Sequence, residues 1–333
     1  MNQTEFEIET ITPMFMSGED QGKFELRPSS FKGLMRFWWR AYYWGRNSHE
    51  PAPKELEKEE GEIFGTASGK GQKSGVSIRI RNRKLKCSEQ KFSGKNGFVL
   101  KYLSYGAENR EYILPGSSFS VLLNIHDKGV EKDVVLSFYL LSVFGAVGAK
   151  ARNGFGNFVV RNPELLDGLD FPFPTKNFLD KTIKNDNIPN FSAFSRNMKI
   201  FKLKSSHGKW DECLAELGEI YKESKGKLDE RLCCDKRQYI ASPITVQKRG
   251  GGRWRMYDRS FLERRSKPYF MRIVETGSGF DGYMLYLPSK YCEGLDKDRN
   301  QNRIDHSEVN ENFLESCDEF NEYLGEKMGM FYG

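Results

Sequence analysis

Histidine is scarce. The 333 residues hold four, His49, His126, His207 and His306, scattered and without metal-ligand spacing. No Ser/His/Asp or Cys/His constellation is readable, so nucleophilic and acid–base catalysis lack candidates. Six cysteines, Cys87, Cys213, Cys233, Cys234, Cys292 and Cys317, form no C-x-x-C pair, which points away from zinc. Reduced thiols in a cytoplasmic protein are expected. No apolar run approaches the ~20 residues of a membrane span, and the acidic, polar N-terminus does not read as a signal peptide. These absences predict no metal, no cofactor, no membrane and no enzyme activity.

What is present suits a soluble globular chain long enough for two domains: 38% hydrophobic and 29% charged residues. Aromatics reach 14%, with 25 Phe and 15 Tyr. That is either extra core or rings that stack on flat ligands. The net charge of +6 suits a polyanionic partner without demanding one.

Hydrophobic patterning gives an α+β order. A strand over 5–11 ends at Thr12-Pro13, since proline cannot continue a ladder. The spacing predicts a helix over 29–45, capped by Ser29 or Ser30. Val76, Ile78 and Ile80 alternate with Ser77, Arg79 and Arg81, a half-buried strand with a basic outer face. A strand over 117–125, a helix over 131–144 and a strand at 158–160 complete a β-α-β-β-α-β, ferredoxin-like pattern. Turn residues from Asn162-Pro163 to Pro189 mark a domain boundary, giving domains 1–162 and 163–333. The second half is expected as strand 198–204, helix 209–224, strands 238–247, 268–274 and 283–287, and helix 307–325. This order suggests a second, more divergent ferredoxin-like unit. The apolar stripe Val309, Phe313, Phe320 and Leu324 on the last helix is expected to pack in the core.

Three segments combine charge, rings and glycine. On the 29–45 helix, Leu34, Phe37, Trp38, Ala41 and Gly45 fall on one side and Lys32, Arg36 and Arg40 on the other. Trp39 and Tyr43 lie among the cations. That suits single-stranded RNA, with cations on phosphates and rings on bases. The competing reading is a helix buried on nearly all sides, its cations paired to nearby carboxylates. Acid pairs such as Glu59-Glu60 are expected on the solvated surface. The second segment, 231–272, has twelve Lys or Arg against three acids and contains Gly250-Gly251-Gly252. Its loop 248–265 carries Lys248, Arg249, Arg253, Trp254 and Arg255 as RNA-binding candidates. The alternative is a solvated loop facing an acidic partner. The third is the glycine loop Gly145, Gly148, Gly154 and Gly156, with Lys150 and Arg152. It leads from helix into strand, so it is not a dinucleotide fingerprint. Its backbone N–H groups can approach phosphate, or its glycines can serve positive φ in a long turn.

Three strings together resemble one family. Glu9 to Phe15, Leu26-Arg27-Pro28, and Lys32 to Ala41 with its Arg-Phe-Trp-Trp-Arg-Ala run are similar to the opening of the first-named subunit of type III-B CRISPR Cmr effector complexes, within the RAMP superfamily. Glu62-Ile63-Phe64-Gly65 resembles a following motif, and Gly145–Gly156 the RAMP glycine-rich loop. Ser17-Gly18 stands where paired glycines are expected. The resemblance covers roughly residues 5–160. It implies two ferredoxin-like domains, an RNA-binding cleft, guide and target RNA and other Cmr subunits as partners, and a role in antiviral defence. In that family, target cleavage belongs to another subunit. A metal-independent endoribonuclease and a protein-only assembly subunit remain the alternatives.

Overall fold

The computed structural model describes residues 2–67, 71–107, 109–166, 168–228, 235–240, 244–247, 253–256, 267–291 and 306–333. The first half runs β1 (Asn2–Thr10), α1 (Pro28–Arg46), α2 (Pro53–Phe64), β2 (Val76–Lys84), β3 (Cys87–Ser88), α3 (Gly97–Ser104), β4 (Tyr112–Ile113), β5 (Ser118–Ile125), α4 (Glu131–Phe144) and β6 (Phe158–Val160). The second runs α5 (Lys176–Thr182), β7 (Lys199–Lys202), α6 (Trp210–Lys227), α7 (Asp235–Ile240), β8 (Ile244–Gln247), β9 (Arg253–Met256), β10 (Tyr269–Thr276), β11 (Gly279–Tyr286), α8 (His306–Lys327) and β12 (Gly329–Tyr332).

Two four-stranded antiparallel sheets dominate, ordered β2-β5-β1-β6 and β10-β11-β7-β12. Within each half, the order is second strand, third, first, fourth. The α+β class is therefore observed. Several expected boundaries are corrected. Helix α1 is capped by Arg27 without a side-chain bond, and Pro28 opens it, because proline's missing N–H costs nothing in a first turn. Residues 238–247 are not one strand: α7 ends at Ile240, and β8 pairs with β9 in a separate hairpin. The closing strand of the second sheet is β12, which sequence patterning did not reveal.

The layers stack as first sheet, α1 with α4, second sheet, α6 with α8. Phe6 of β1 stacks on Phe138 of α4 at 4.2 Å, and Phe31 of α1 meets Phe119 of β5 at 6.0 Å. On the other side of α1, Trp38 packs against Phe270 of β10 at 5.4 Å. Alternation along β10 then divides its side chains. Phe270 and Val274 join the core around α1 and α4, while Tyr269, Met271 and Ile273 join the core under α6 and α8. Phe313, Phe320 and Leu324 fill that second core, with Val309 at its edge.

Arg272, between Phe270 and Val274, crosses to the first half. Its guanidinium donates to the carbonyls of Gly145 (2.8 Å), Phe158 (2.8 Å) and Ser142, and to Asn157 Oδ1 (3.1 Å). Burial pushes it down to about 9, which leaves it charged at neutral pH. A cation at the end of α4 meets the negative pole of that helix and its otherwise unpaired last carbonyls.

Candidate nucleic-acid interface

Helix α1 is covered on several sides, which corrects the face assignment made from its wheel. Trp38 and Trp39 are each 1% exposed. Trp39 donates its indole N–H to Asp133 of α4 at 2.9 Å and stacks on the buried Tyr43 at 4.9 Å. Tyr43 in turn donates to Glu55 of α2 at 3.0 Å, and burial and that carboxylate push its phenol up to about 12. Neither ring is open for stacking on a base. Arg36 and Arg40, with side chains 35% exposed, both grip Glu60 of α2, at 2.5 and 2.9 Å. Glu60, expected on the solvated surface, is buried. Lys32 donates to Ser74 Oγ at 2.7 Å, its ammonium lowered chiefly by burial and then by Arg36. The helix buried on nearly all sides, with its cations paired, is the arrangement observed.

Arg81 and Arg83 on the outer face of β2 are also paired. Glu5, Glu7 and Glu9 project from β1, one strand away across β5. Arg81 meets Glu5 at 3.2 Å, Arg83 meets Glu5 and Glu7 at 2.8 and 3.0 Å, and Arg161 meets Glu9 at 3.0 Å. Pairs this exposed stabilise little. Their effect is on the field: a carboxylate stripe runs down the middle of the open sheet face.

The glycine loop serves packing first. Gly148 (φ 100°), Gly154 (φ 84°) and Gly156 (φ 73°) take a backbone form that L side chains rarely adopt. A Cβ on Gly156 would lie 1.8 Å from the Val147 carbonyl oxygen, and one on Gly154 would strike Leu214 of α6. Gly145 is extended and presses on Trp38. The N–H groups of Val147, Ala149 and Gly156 go to Gly156, Phe15 and Pro13 carbonyls, so they do not face an anion. The loop's cations are another matter. Lys150 holds a left-handed backbone at φ 62°. Arg152 lies over the rings of Phe270 (4.3 Å) and Phe37 (5.6 Å) and donates to the Lys267 carbonyl; burial pushes it down to about 10.

Two residues not singled out from sequence complete a group of four cations here. Lys225 of α6 donates to the Tyr102 hydroxyl at 2.8 Å. The Lys267 ammonium sits 4.1 Å from the Tyr221 ring centre, shut off from solvent and without a hydrogen-bond partner among the described residues. Burial first, and then Lys225, Arg152 and Lys150, hold it far below the lysine range. Among the described residues, Arg152, Lys225 and Lys267 form no ion pair with a carboxylate. Like charges gathered round a buried, unpaired ammonium are costly in isolation, and an anion relieves that cost. Lys267 belonged to the counted basic segment, but Lys225 is in an ordinary amphipathic helix, with no local signal to single it out.

Of the basic loop candidates, Lys248 and Arg249 lie outside the described residues. Arg253, Trp254 and Arg255 lie on β9, where the backbone hairpin is described and the side chains are not. The histidines that are described sit elsewhere. His126 meets Ser77 at 2.9 Å, His207 meets Glu216 at 2.5 Å, and the His49 carbonyl accepts from Asn185 at 2.9 Å. Among the described residues no group of His, Cys, Asp and Glu could hold a metal, and no helix is long and apolar enough to cross a membrane.

The model of a protein family described as the RAMP superfamily matches residues 7–159, from β1 through the glycine loop to β6. Those residues, a little under half of the chain, are similar to the RAMP superfamily. The RAMP match ends before the second sheet begins. Two curated relatives from Pyrococcus furiosus extend the likeness. The chain is 27% identical to CRISPR system Cmr subunit Cmr1-1 over 249 residues, 66% of this chain and 71% of that one. It is 29% identical to Cmr1-2 over 188 residues, 48% of this chain and 96% of that one. The solved apo structure of Cmr1 from P. furiosus superimposes with a TM-score of 0.63 at 22% identity, covering 100% of this chain and 99% of that one. A chain of a type III-B Cmr-beta complex, bound to cognate target RNA and AMPPnP, gives a TM-score of 0.51 at 12% identity, with 96% and 99% covered. At those identities the likeness is one of fold.

Proposed function

We propose that this chain is an RNA-binding, non-catalytic subunit of a type III-B Cmr complex, contacting guide or target RNA and neighbouring Cmr subunits in the cytoplasm. In this reading the halves 1–162 and 163–333 are two ferredoxin-like domains, supported by their shared strand order. The observation that carries the RNA assignment is the Lys150, Arg152, Lys225 and Lys267 group, which lies against both sheets' helices and holds an ammonium with no counter-charge among the described residues. A phosphate beside the half-buried Lys225 gives this group a negative charge without having to reach the enclosed Lys267 amine. The curated relatives supply the Cmr context. The non-catalytic reading draws support from His126 and His207, whose rings bond Ser77 and Glu216 away from these cations.

The test is salt dependence. RNA affinity should fall as salt rises, and each single-strand phosphate contact contributes about −0.7 to the slope of log K against log salt. Lys225→Glu should weaken binding several-fold and flatten that slope, whereas Arg36→Gln should change neither. An unchanged slope in Lys225→Glu sinks the assignment. Cleavage of labelled RNA by the purified chain, lost in His207→Ala, would replace it with the nuclease reading.

A further inference from the structure

The cation group has a neighbour that neither the sequence pattern nor the relatives assign. Helix α3 turns two large rings to water: Phe98 is 70% exposed and Tyr105, at its C-cap, 59%. They are seven residues apart, and Lys101 and Tyr102 fall between them at helical spacing, so all four share one face. The opposite face is ordinary core, with Val99, Leu100 and Leu103 buried. At 1.5 Å per residue the two rings stand roughly 10 Å apart along the helix.

This face is held rigidly. Gly218 lets α6 approach α3 so closely that a Cβ there would lie 2.5 Å from Val99 and 2.8 Å from Leu103. Asn153 of the glycine loop donates to the Leu103 carbonyl at 2.6 Å, tying the end of α3 to the loop that carries Lys150 and Arg152. Cations line the rings as well. Lys222 of α6 lies 4.9 Å from the Phe98 ring centre, and Lys225 lies 5.3 Å from that of Tyr102. Tyr102 thus joins the exposed face to the cation group, through its bond to Lys225.

Single exposed rings need no explanation. Two on one helical face, interleaved with ammonium groups and continuous with an unpaired buried cation, match what single-stranded nucleic acid requires: charge for the backbone, flat surfaces for the bases. We infer that the α3 face is a stacking platform for unpaired RNA bases, with Phe98 and Tyr105 each taking a base from a strand whose phosphates run into the Lys225–Lys267 group. The inference rests on the RNA reading above. It adds where the strand goes and predicts little preference among bases, since every base has a stacking face.

Abasic RNA separates the two readings, because it keeps the phosphates and lacks the bases. The full chain should bind a short unstructured RNA more tightly than its abasic counterpart, by about five- to a hundredfold per stacked base. The double variant Phe98→Ser with Tyr105→Ser should melt like wild type, since both rings are exposed, and should bind the two RNAs equally. If wild type binds both RNAs equally, with salt dependence intact, the platform is overturned and the cation group stands. If it binds neither, both readings fall. If the double variant still discriminates against abasic RNA, or binds RNA normally but fails to enter a purified Cmr complex, the rings serve another purpose and the platform is wrong.

Discussion

Helix α1 and the glycine-loop corner look alike in sequence: cations beside rings. Their structures differ in one respect, the acid brought in from elsewhere. Around α1, Glu60, Glu55 and Asp133 answer the side chains of Arg36, Arg40, Tyr43 and Trp39. Around Lys267, three further cations converge, and among the described residues no carboxylate pairs with Arg152, Lys225 or Lys267 itself. A charge count along the chain therefore ranks segments poorly as binding surfaces. What decides is whether the fold supplies a counter-charge or leaves it to a ligand.

The two tryptophans of α1 offer the sharpest way to break this contrast. Both Trp38→Ala and Trp39→Ala should lower stability by about 3–5 kcal/mol, because both rings are buried. Thermal or denaturant melting checks this, and a Trp39→Ala chain that melts normally while losing RNA would reverse the contrast. Next in size is Glu60→Gln. It should cost about 1–2 kcal/mol, since two half-exposed guanidiniums lose a buried partner while water recovers part of the loss. The same change should raise weak RNA affinity at low salt, making α1 resemble the other corner; gel-shift titration reads it.

The smallest effect has the opposite sign. Lys267→Met should raise stability by up to about 1 kcal/mol while weakening RNA binding, because it replaces a buried amine without a hydrogen-bond partner, whose charged form burial and three like charges disfavour, by an apolar side chain. The pH dependence follows from the same shift. The unfolded chain keeps this proton up to the ordinary lysine value of 10.5, whereas the folded chain releases it earlier. The unfolded state then binds more protons across that window, so wild-type stability gains from rising pH there, and the variant should lack the gain. Denaturant melts from neutral to alkaline pH measure it.

Much of the fold was legible in residues that obey one period. Helix α4 runs over Glu131–Phe144 as its pattern implied, and β5 and β6 fall where apolar runs and turns placed them. Trp38 and Trp39 were separated by the same logic and wrongly so. A single core face drawn over Phe37 and Trp38 leaves Trp39, a further 100° round, among the cations. Helix α1 lies between two sheets, with α2 and α4 beside it, and burial there extends round most of the helix. Strand β12, four residues directly after a 22-residue helix, is too short to show a period. The platform helix α3 was missed because Phe98, Tyr102 and Tyr105 blur the contrast between its two faces. The four-cation group was only half visible, since Lys150 and Lys225 are 75 positions apart and meet through the fold alone.

The guanidinium of Arg272 bears on how such a chain can change over generations. Its acceptors, the Ser142, Gly145 and Phe158 carbonyls and the Asn157 amide oxygen, all belong to the other half of the molecule. They are backbone groups with one exception, so drift in the first half's side chains leaves the socket largely intact. Exchange of a whole half is different. A foreign second half without an arginine at this register strands three carbonyls, and a foreign first half with a differently ended α4 strands the cation. A recombination that cuts the seam between the sheets therefore carries a folding cost, because each half must supply its own side of this socket.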